Sequence, residues 1–398
     1  MTRPLSTRTE NIAASLTVAI DTLAKQMIAD GKDVVSLGAG EPDFPTPATI
    51  CEFACKAISE GKTRYTAPVG IPEVRKEVCN KLKRDNGLEY APEQITMTSG
   101  AKHAVFNSLA ALINPGDEVI IPAPYWVTYP ELVKWLGGTP VFVQAGIEHD
   151  FKITAEQLQN AITEKTKAIL LNNPCNPTGS VYTKEELAKL AEVIVKNDIY
   201  CISDEVYEYF VYTDTFTSAA SFEGMPERTI VINGFSKSHY LTGWRIGYNA
   251  SPAPIAKIIA KIQGQATHHP SNIAQYAALA ALRMGLGEVE KMRAAFRARR
   301  DFMVTRVSGI LGEMVKEPAG AFYLFAPVAK YFGKKTPAGA TITDSIDFCK
   351  YILESEGLAI VPGKAFGDDT CVRFSYAASD ADLAKACDRF ESGIKKLS

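Results

Sequence analysis

A lysine and an arginine follow a short, apolar and largely β-branched run of the sequence. Residues 229–233 predict a buried strand, and Lys237 comes four residues after it. Arg245 lies eight residues further on, between Gly243 and Gly247, where small neighbours allow a guanidinium to approach a phosphate. Open α/β sheets bind ligands beyond the carboxyl ends of their strands. The segment is therefore a candidate ligand site, although a single lysine is more often a solvated surface group.

A turn of small residues at the start of another predicted helix could bind an anion. A strand is predicted at 95–98, and Gly100, Ala101 and Lys102 open a helix that runs to about residue 113. Free backbone N–H groups and the positive end of the helix dipole meet at such a turn. The segment is not a Walker loop and lacks a complete Gly-x-Gly-x-x-Gly pattern. On its own it is equally compatible with a plain tight connection.

Polar and aromatic residues follow several other predicted strands. These residues are Trp126, Asn176, Asp204 and Tyr207, which come after the predicted strands at 118–121, 168–172 and 199–203. A parallel sheet brings the carboxyl ends of its strands to one edge. We therefore expect these side chains to converge with Lys237.

Short apolar strands that alternate with amphipathic helices predict an α/β fold, in which a mostly parallel sheet is covered by helices on both faces. After residue 252 a long helical stretch runs to about 310, and the tail mixes strands with helices as in a smaller α+β domain. The predicted division is 1–47 for an N-terminal arm with part of the small domain, 48–290 for the large domain and 291–398 for the small domain. The arginines that crowd the helical stretch are interpreted as a solvated helix face: Arg293, Arg297, Arg299 and Arg300.

Composition excludes several classes of partner. The formal net charge of −2 at pH 7 gives no reason to expect a nucleic acid or an anionic membrane. No apolar run approaches the ~20 residues of a membrane-spanning helix, and the N-terminus does not resemble a secretory signal. The eight cysteines are scattered, and Cys51 and Cys55 lack the neighbours that would complete a zinc site. We expect no metal and a cytoplasmic location.

The residues expected at the sheet edge are the set that holds and tunes pyridoxal phosphate. Lys237 would provide the amine that bonds to the cofactor, and Asp204 would keep the ring nitrogen protonated. Tyr207 and Asn176 would hydrogen-bond the ring hydroxyl, and Trp126 would stack on the ring. The phosphate would bind to Gly100, Ala101, Lys102, Ser236 and Arg245. Each residue alone has a structural explanation, such as a cap, a turn or core packing, but their joint occurrence favours the cofactor site.

Five motifs resemble those of class I aminotransferases with the aspartate aminotransferase fold. The motifs lie at 38–44 (Gly-x-Gly-Glu-Pro-Asp-Phe), 173–179 (Asn-Pro-x-Asn-Pro-Thr-Gly), 203–207 (Ser-Asp-Glu-x-Tyr), 236–237 (Ser-Lys) and 243–248 (Gly-Trp-Arg-x-Gly-Tyr). The resemblance covers nearly the whole chain. It implies that Lys237 binds the cofactor covalently and moves the substrate proton, and that Arg373 binds the substrate α-carboxylate. By the same resemblance Asn176 and the backbone of Gly40 assist Arg373, and Trp126 lines the substrate pocket.

The resemblance also implies a homodimer with shared active sites, in which Tyr65 reaches the phosphate of the neighbouring subunit. The sequence is similar to the bacterial branch that reads the distal carboxylate of the substrate with a lysine rather than a partner-subunit arginine. Lys102, with Ser15 and Thr17 from the N-terminal arm, occupies those places. Lys102 also has a simpler interpretation as a surface lysine near the anion site. Ala13 stands where relatives that accept prephenate often carry a basic residue, which argues against that activity.

Amino-group transfer between aspartate or glutamate and their 2-oxo acids is the first functional hypothesis. A transaminase for aromatic, alanine or kynurenine-type donors remains an alternative, because the α-carboxylate site is common to all of them. A pyridoxal-phosphate β-C–S lyase shares every cofactor residue. The fold also serves as the effector-binding half of some regulators, but the sequence shows no helix-turn-helix extension.

Overall fold

The computed structural model describes residues 7, 10, 12–13, 16–213 and 215–398, and α-helices alternate with strands along most of this part of the chain. The helices are α1 (Leu16–Ala29), α2 (Ala48–Ser59), α3 (Pro72–Asn86), α4 (Ala101–Leu112), α5 (Thr128–Trp135), α6 (Ala155–Ala161), α7 (Lys184–Lys196), α8 (Ala253–Ala266), α9 (Asn272–Arg283), α10 (Gly287–Leu311), α11 (Ser345–Glu356) and α12 (Asp380–Lys395). The strands are β1 (Val35–Ser36), β2 (Ile95–Thr98), β3 (Glu118–Ala123), β4 (Thr139–Gln144), β5 (Thr166–Asn172), β6 (Tyr200–Asp204), β7 (Thr229–Gly234), β8 (Gly247–Ala250), β9 (Tyr323–Pro327), β10 (Leu358–Ala359), β11 (Val361–Pro362) and β12 (Cys371–Ser375).

A seven-stranded sheet with the order β2-β8-β7-β6-β5-β3-β4 forms the centre of the large domain. All neighbouring pairs are parallel except those of β8, which runs antiparallel to both β7 and β2. Asp204 at the end of β6 pairs with Asn172 of β5 on one side and with Ile232 of β7 on the other. The carboxyl ends of β5, β6 and β7 therefore lie side by side, as the sequence predicts.

Helices cover both faces of this sheet, because alternate strand residues point to opposite sides. Leu170 of β5 packs in a core with residues of α4, α5 and α8. Its neighbours Ile169 and Leu171 pack in another core with residues of α6 and α7. The three leucine and isoleucine side chains are at most 1% exposed. The predicted α/β fold class, with a mostly parallel sheet between two helical layers, is confirmed.

The C-terminal part of the chain forms a second sheet with its own core. Strands β11, β12 and β9 make an antiparallel three-stranded sheet that packs with α10, α11 and α12. Strand β1, close to the N-terminus, pairs in parallel with β10. The N-terminal segment thus joins the C-terminal elements. The predicted boundary at residues 290 and 291 falls inside the continuous helix α10 and stays a prediction.

The interpretation of the arginine run as a solvated face is wrong for Arg299 and Arg300. Arg300 is only 4% exposed, donates to the Pro318 carbonyl at 3.1 Å and stacks over a tyrosine ring. Arg299 binds both carboxylate oxygens of Asp43 at 2.8 and 3.0 Å and also reaches Asp380. Helix α10 lies between two packed surfaces, which a charge run alone does not reveal. In the described part of the chain no helix is both long and apolar enough to cross a bilayer.

Candidate active site

A cavity of about 350 Å³ lies at the carboxyl edge of the large sheet, where loop 38–41 and strand β12 close over it. Five separate segments of the large domain and two strands of the small sheet contribute residues to this cavity. The residues predicted from the sequence that line it are Thr17, Gly40, Ala101, Lys102, Trp126, Asn176, Asp204, Tyr207, Ser236, Lys237, Arg245 and Arg373. The convergence expected from the strand ends is therefore observed.

Lys237 enters the cavity from the loop that follows β7. Its Nζ donates to the carbonyl oxygen of Gly40. Burial lowers the pKa of the Lys237 amine to about 8, in opposition to the attraction of Glu41, and the nearby cations Arg245 and Arg373 lower it further. With this pKa about a tenth of the amine is neutral at pH 7, far more than for an ordinary lysine, and the neutral form is the one that attacks a carbonyl carbon.

Asp204 places a buried carboxylate in the same cavity. The residue is 4% exposed, and its Oδ2 accepts a hydrogen bond of 2.7 Å from the Tyr129 hydroxyl. Burial raises the pKa of Asp204 to about 6, while the hydrogen bond from Tyr129 opposes that rise. The carboxylate is therefore mainly ionised at neutral pH and favours a cationic partner. Sequence reasoning missed Tyr129, whose only signal was its place on the same turn as Trp126.

The turn before α4 forms a narrow cradle. Gly100 has a φ of +84°, and a Cβ at this position would lie 2.6 Å from Nη2 of Arg245. A Cβ on Gly247 would lie 2.7 Å from the backbone nitrogen of Ala101. The first N–H groups of a helix have no acceptor within it, so the guanidinium and the helix start can bind one anion together. The alternative of a plain connection is less consistent with this close approach.

Lys102 extends the positive charge from the cradle towards the middle of the cavity. Its Nζ lies 5.0 Å from the centre of the Trp126 ring. Burial lowers the pKa of Lys102, and repulsion from Arg245 lowers it further. Lys102 is thus an exposed side chain that also lines the cavity.

Arg373 presents a buried guanidinium from β12. The residue is 4% exposed, and it donates to Oδ1 of Asn176 at 2.8 Å and to the carbonyl oxygen of Gly38 at 2.6 Å. The guanidinium lies 4.5 Å from the ring centre of Tyr323 and 4.9 Å from that of Phe366. Its Nε is buried without a hydrogen-bond partner. The ion pairs formed among the described residues do not include Arg373, so its charge remains available for an anionic ligand.

The loop at 38–41 connects the amine and the guanidinium. The carbonyl of Gly40 accepts from Lys237, and a Cβ on Gly40 would lie 2.6 Å from the Tyr323 hydroxyl. The sequence left open whether this loop is a plain connector or a close approach to a ligand. Its position in the cavity supports the second interpretation.

Tyr207 forms a contact that the sequence did not predict. Its hydroxyl shares a hydrogen bond of 2.8 Å with the Tyr323 hydroxyl, and both tyrosines lie in the cavity wall. Tyr323 comes from β9, more than a hundred residues away, and no motif marks it. The pair joins the large sheet to the small one beside Arg373.

Two predicted residues stand apart from this group. Tyr65 is 90% exposed and packs beside His268 and His269, away from the cavity of its own chain. Ser15 lies outside the described residues, whereas Thr17 of α1 lines the cavity. The described residues contain no group of three or more His, Cys, Asp or Glu side chains that could hold a metal ion.

The side chains of this cavity fit pyridoxal phosphate. The amine of Lys237 can bond to its aldehyde carbon, the buried Asp204 suits a protonated ring nitrogen, and the cradle around Gly100 leaves room for a phosphate where a Cβ would collide with Arg245. When bound, the cofactor supplies an electron sink and carries an amino group.

Comparison with known proteins agrees with this chemistry. The family model "Aminotransferase class I and II" matches residues 32–390. An aspartate/prephenate aminotransferase of Cereibacter sphaeroides is 45% identical over 397 residues, which are 99% of both chains. An aspartate aminotransferase of Bacillus subtilis is 44% identical over 99% of this chain and 100% of its own. The crystal structure of an aspartate aminotransferase from Rhizobium meliloti superposes over 100% of both chains with a TM-score of 0.96 and 40% identity. The chain belongs to the class I and II aminotransferases and is a transaminase that uses pyridoxal phosphate.

Proposed function

We propose that the enzyme is an aspartate aminotransferase, which moves the amino group between L-aspartate or L-glutamate and 2-oxoglutarate or oxaloacetate. The observation that carries this proposal is the presence of two cationic side chains in one cavity, the buried Arg373 and the more exposed Lys102. Each substrate of this reaction has two carboxylates. The relatives include aspartate aminotransferases from three bacteria, which supports the same substrate class.

In this proposal Arg373 binds the α-carboxylate with its planar fork, and Asn176 orients the guanidinium through their hydrogen bond. Lys237 takes the proton from the substrate α-carbon at its Nζ and returns a proton to the cofactor side. Asp204 would keep the ring nitrogen of the cofactor protonated, and Tyr207 and Asn176 would hydrogen-bond its ring hydroxyl. Trp126 would pack on the ring, Arg245 would neutralise charge on the phosphate, and Ser236 would donate a hydrogen bond to it.

We propose that Lys102 binds the distal carboxylate of the substrate, together with Thr17 and Ser15 of the arm. Lys102→Met should weaken kcat/KM for aspartate by roughly 10- to 100-fold, about 1.5–3 kcal/mol for a charge-assisted contact. The value for alanine should change much less, because alanine has no distal carboxylate. Rapid-mixing absorbance measurements of each half-reaction give both constants.

Lys167→Met is the matched control for Lys102→Met. Lys167 also lies over an aromatic ring, that of Tyr200 at 5.6 Å, but it does not line the cavity. This variant should leave both constants unchanged. Equal losses for aspartate and alanine in Lys102→Met would contradict the proposed role of Lys102.

A panel of amino donors separates the remaining alternatives. Aromatic donors, alanine and kynurenine test a broader transaminase, and release of pyruvate and ammonia from cystathionine would reveal a C–S lyase. Prephenate belongs in the panel because relatives that are 45%, 44% and 42% identical carry its name. Position 13 is an alanine in this chain, so no basic side chain stands there, and its backbone N–H donates to Glu131 at 2.8 Å. We expect aspartate and glutamate to react fastest.

We propose that two copies form a dimer in which Tyr65 completes the phosphate site of the partner. The exposure of Tyr65 and its distance from its own cavity support this arrangement. Subunits that carry Lys237→Ala and Tyr65→Ala are to be mixed after separate purification. If Tyr65 acts across the interface, a hybrid dimer contains one intact site and recovers up to half of the activity of a natural dimer. Activity no higher than the sum of the two separate variants would contradict the shared site.

We also propose that the enzyme works in the cytoplasm. All eight of its cysteines are free thiols, and Cys175, Cys201, Cys349, Cys371 and Cys387 are buried. Such thiols are typical of proteins in a reducing compartment. Fractionation of cells that express the natural chain tests the location.

A further inference from the structure

A network of buried polar residues lies directly behind the active site, and we call it the supporting layer. It consists of Lys81 and Asn86 of α3, Glu208, and Asn233 of β7. Lys81 is 3% exposed, Glu208 is 6% exposed and Asn233 is 3% exposed. None of the four lines the cavity that contains Lys237.

Glu208 is the centre of the supporting layer. Its Oε1 accepts from Nζ of Lys81 and from Nδ2 of Asn233, the second at 2.7 Å. Its Oε2 accepts from Nδ2 of Asn86 at 2.8 Å. Lys81 also donates to Oδ1 of Asn86 at 2.7 Å. Every charged group in the layer therefore meets an opposite charge or a hydrogen-bond partner.

The supporting layer joins the two segments that carry the reactive groups. Glu208 directly follows Tyr207 and lies four residues after Asp204. Asn233 lies four residues before Lys237, and its Oδ1 accepts from the N–H of Gly234 at 2.7 Å. The bond between Glu208 and Asn233 thus adds a side-chain link between the carboxylate segment and the strand that leads to the amine, next to the backbone pairing of β6 with β7.

Stability alone does not account for this arrangement. Burial of an ion pair costs desolvation energy that its attraction often fails to recover, and apolar residues of similar volume are frequently as stable. Other polar groups surround the pair: Asp85 accepts from Tyr209 at 2.6 Å, and Lys81 lies 5.3 Å from the Tyr209 ring centre. A role in positioning catalytic groups explains a buried polar network better than stability does, because a catalytic group must be held in a fixed place.

We propose that Glu208, held by Lys81 and Asn86, is a positioning residue that sets the place of Asp204 and Tyr207 relative to Lys237 through its hydrogen bond to Asn233. The proposal rests on the cofactor chemistry of the family and is independent of the choice of amino donor. It assigns to α3 a role in catalysis although no residue of that helix touches the cavity.

Two double variants separate the hydrogen bond from the charges. Lys81→Met with Glu208→Gln removes both charges but keeps an amide oxygen that can accept from Asn233. Lys81→Met with Glu208→Leu is also neutral but has no acceptor. The Leu variant should retain pyridoxal phosphate roughly tenfold less tightly than the Gln variant, and its kcat should fall roughly 10- to 100-fold. KM should change much less, because Arg373 is on a different sheet.

The visible absorbance of the covalently bound cofactor gives a readout that does not depend on turnover. The pH midpoint of that absorbance should match the natural enzyme in the Gln variant and differ from it in the Leu variant. Asn233→Leu tests the same hydrogen bond from its other end and replaces the double variants if they do not fold. Arg300→Met is the matched control, because it removes a cation of similar burial whose polar and ring contacts among the described residues are with Asp301, Glu317, Pro318 and Tyr212.

The control should lose stability without any change in cofactor retention or in the absorbance midpoint. Equal cofactor retention, kcat and absorbance midpoint in the Gln and Leu variants would overturn the proposal, as would an unchanged Asn233→Leu enzyme. If the natural enzyme bound no pyridoxal phosphate, the assignment of the cofactor would be refuted, and with it the proposed role of Glu208. Bound cofactor with no reaction towards aspartate would refute the proposed substrate and leave the test of Glu208 intact.

Discussion

Charge is treated in opposite ways in the supporting layer and in the reactive groups in front of it. In the supporting layer Lys81 meets the carboxylate of Glu208. In front of it, Lys237 donates to a backbone carbonyl and Asp204 accepts from a tyrosine hydroxyl. Among the described residues, Arg373 donates to the amide oxygen of Asn176 and the backbone carbonyl oxygen of Gly38. Charges that the fold leaves without a counter-ion mark the place where a ligand supplies one, whereas paired charges hold the structure.

Removal of the amine of Lys237 should have the largest effect on activity. Lys237→Ala should lower kcat by about 10⁴-fold or more, because the variant loses both the covalent attachment and the group that moves the proton. Its solution should also lack the visible absorbance of the attached cofactor. The change leaves the supporting layer untouched, so the thermal unfolding temperature of the cofactor-free protein should not fall. A variant that keeps both its absorbance and its rate would refute the role of Lys237.

A change of guanidinium to ammonium at Arg373 tests the charge that is proposed to bind the substrate. Arg373→Lys should lower kcat/KM by about 10²-fold, close to 3 kcal/mol, because an ammonium cannot make the two parallel hydrogen bonds of an arginine fork. The loss should be similar for aspartate and alanine, since both carry an α-carboxylate. Steady-state kinetics with both donors measures it.

Arg300→Lys is the control for that change, because Arg300 is as buried as Arg373 but is paired with Asp301 and Glu317. It should leave kcat/KM unchanged. A loss confined to aspartate in Arg373→Lys would instead show that Arg373 reads the distal carboxylate.

The smallest of the expected effects is on the pH dependence of cofactor attachment. Burial lowers the pKa of the Lys237 amine to about 8, and only the neutral amine attacks the aldehyde. Attachment of pyridoxal phosphate to the cofactor-free protein should therefore accelerate about tenfold per pH unit below 8 and level off above it. Absorbance after rapid mixing at several pH values measures this rate. A rise that continues to pH 10 would show that the amine is not perturbed.

Sequence patterns identified the strand ends that carry Lys237, Asp204 and Asn176, because strand direction and the parallel sheet decide where those ends meet. They missed β8, whose residues include Asn249. This amide is buried and donates to Ala104 and Ser108, both at 3.2 Å, so a buried polar residue lies on a strand that has neighbours on both sides. A pattern of apolar residues does not detect such a strand.

Contacts between distant segments were the other gap. Tyr129 and Tyr323 complete the surroundings of Asp204 and Tyr207, but their partners are fixed by the packing of separate elements. In the sequence Arg300 is part of a charge run, and in the structure it is buried. The sequence does not reveal this burial, because the surfaces against which α10 packs are distant in sequence. Tyr65 depends on a second chain, which the sequence of one chain implies only by resemblance.

Chemical mapping of the attached cofactor is the most direct test of Lys237 as the attachment site. The protein is loaded with pyridoxal phosphate, reduced with borohydride, digested and analysed by mass spectrometry. We predict one phosphopyridoxyl group per chain, on the peptide that contains Lys237, and none on Lys102 or Lys81. Modification at another lysine, or no modification at all, would contradict the assignment of this cavity as the cofactor site.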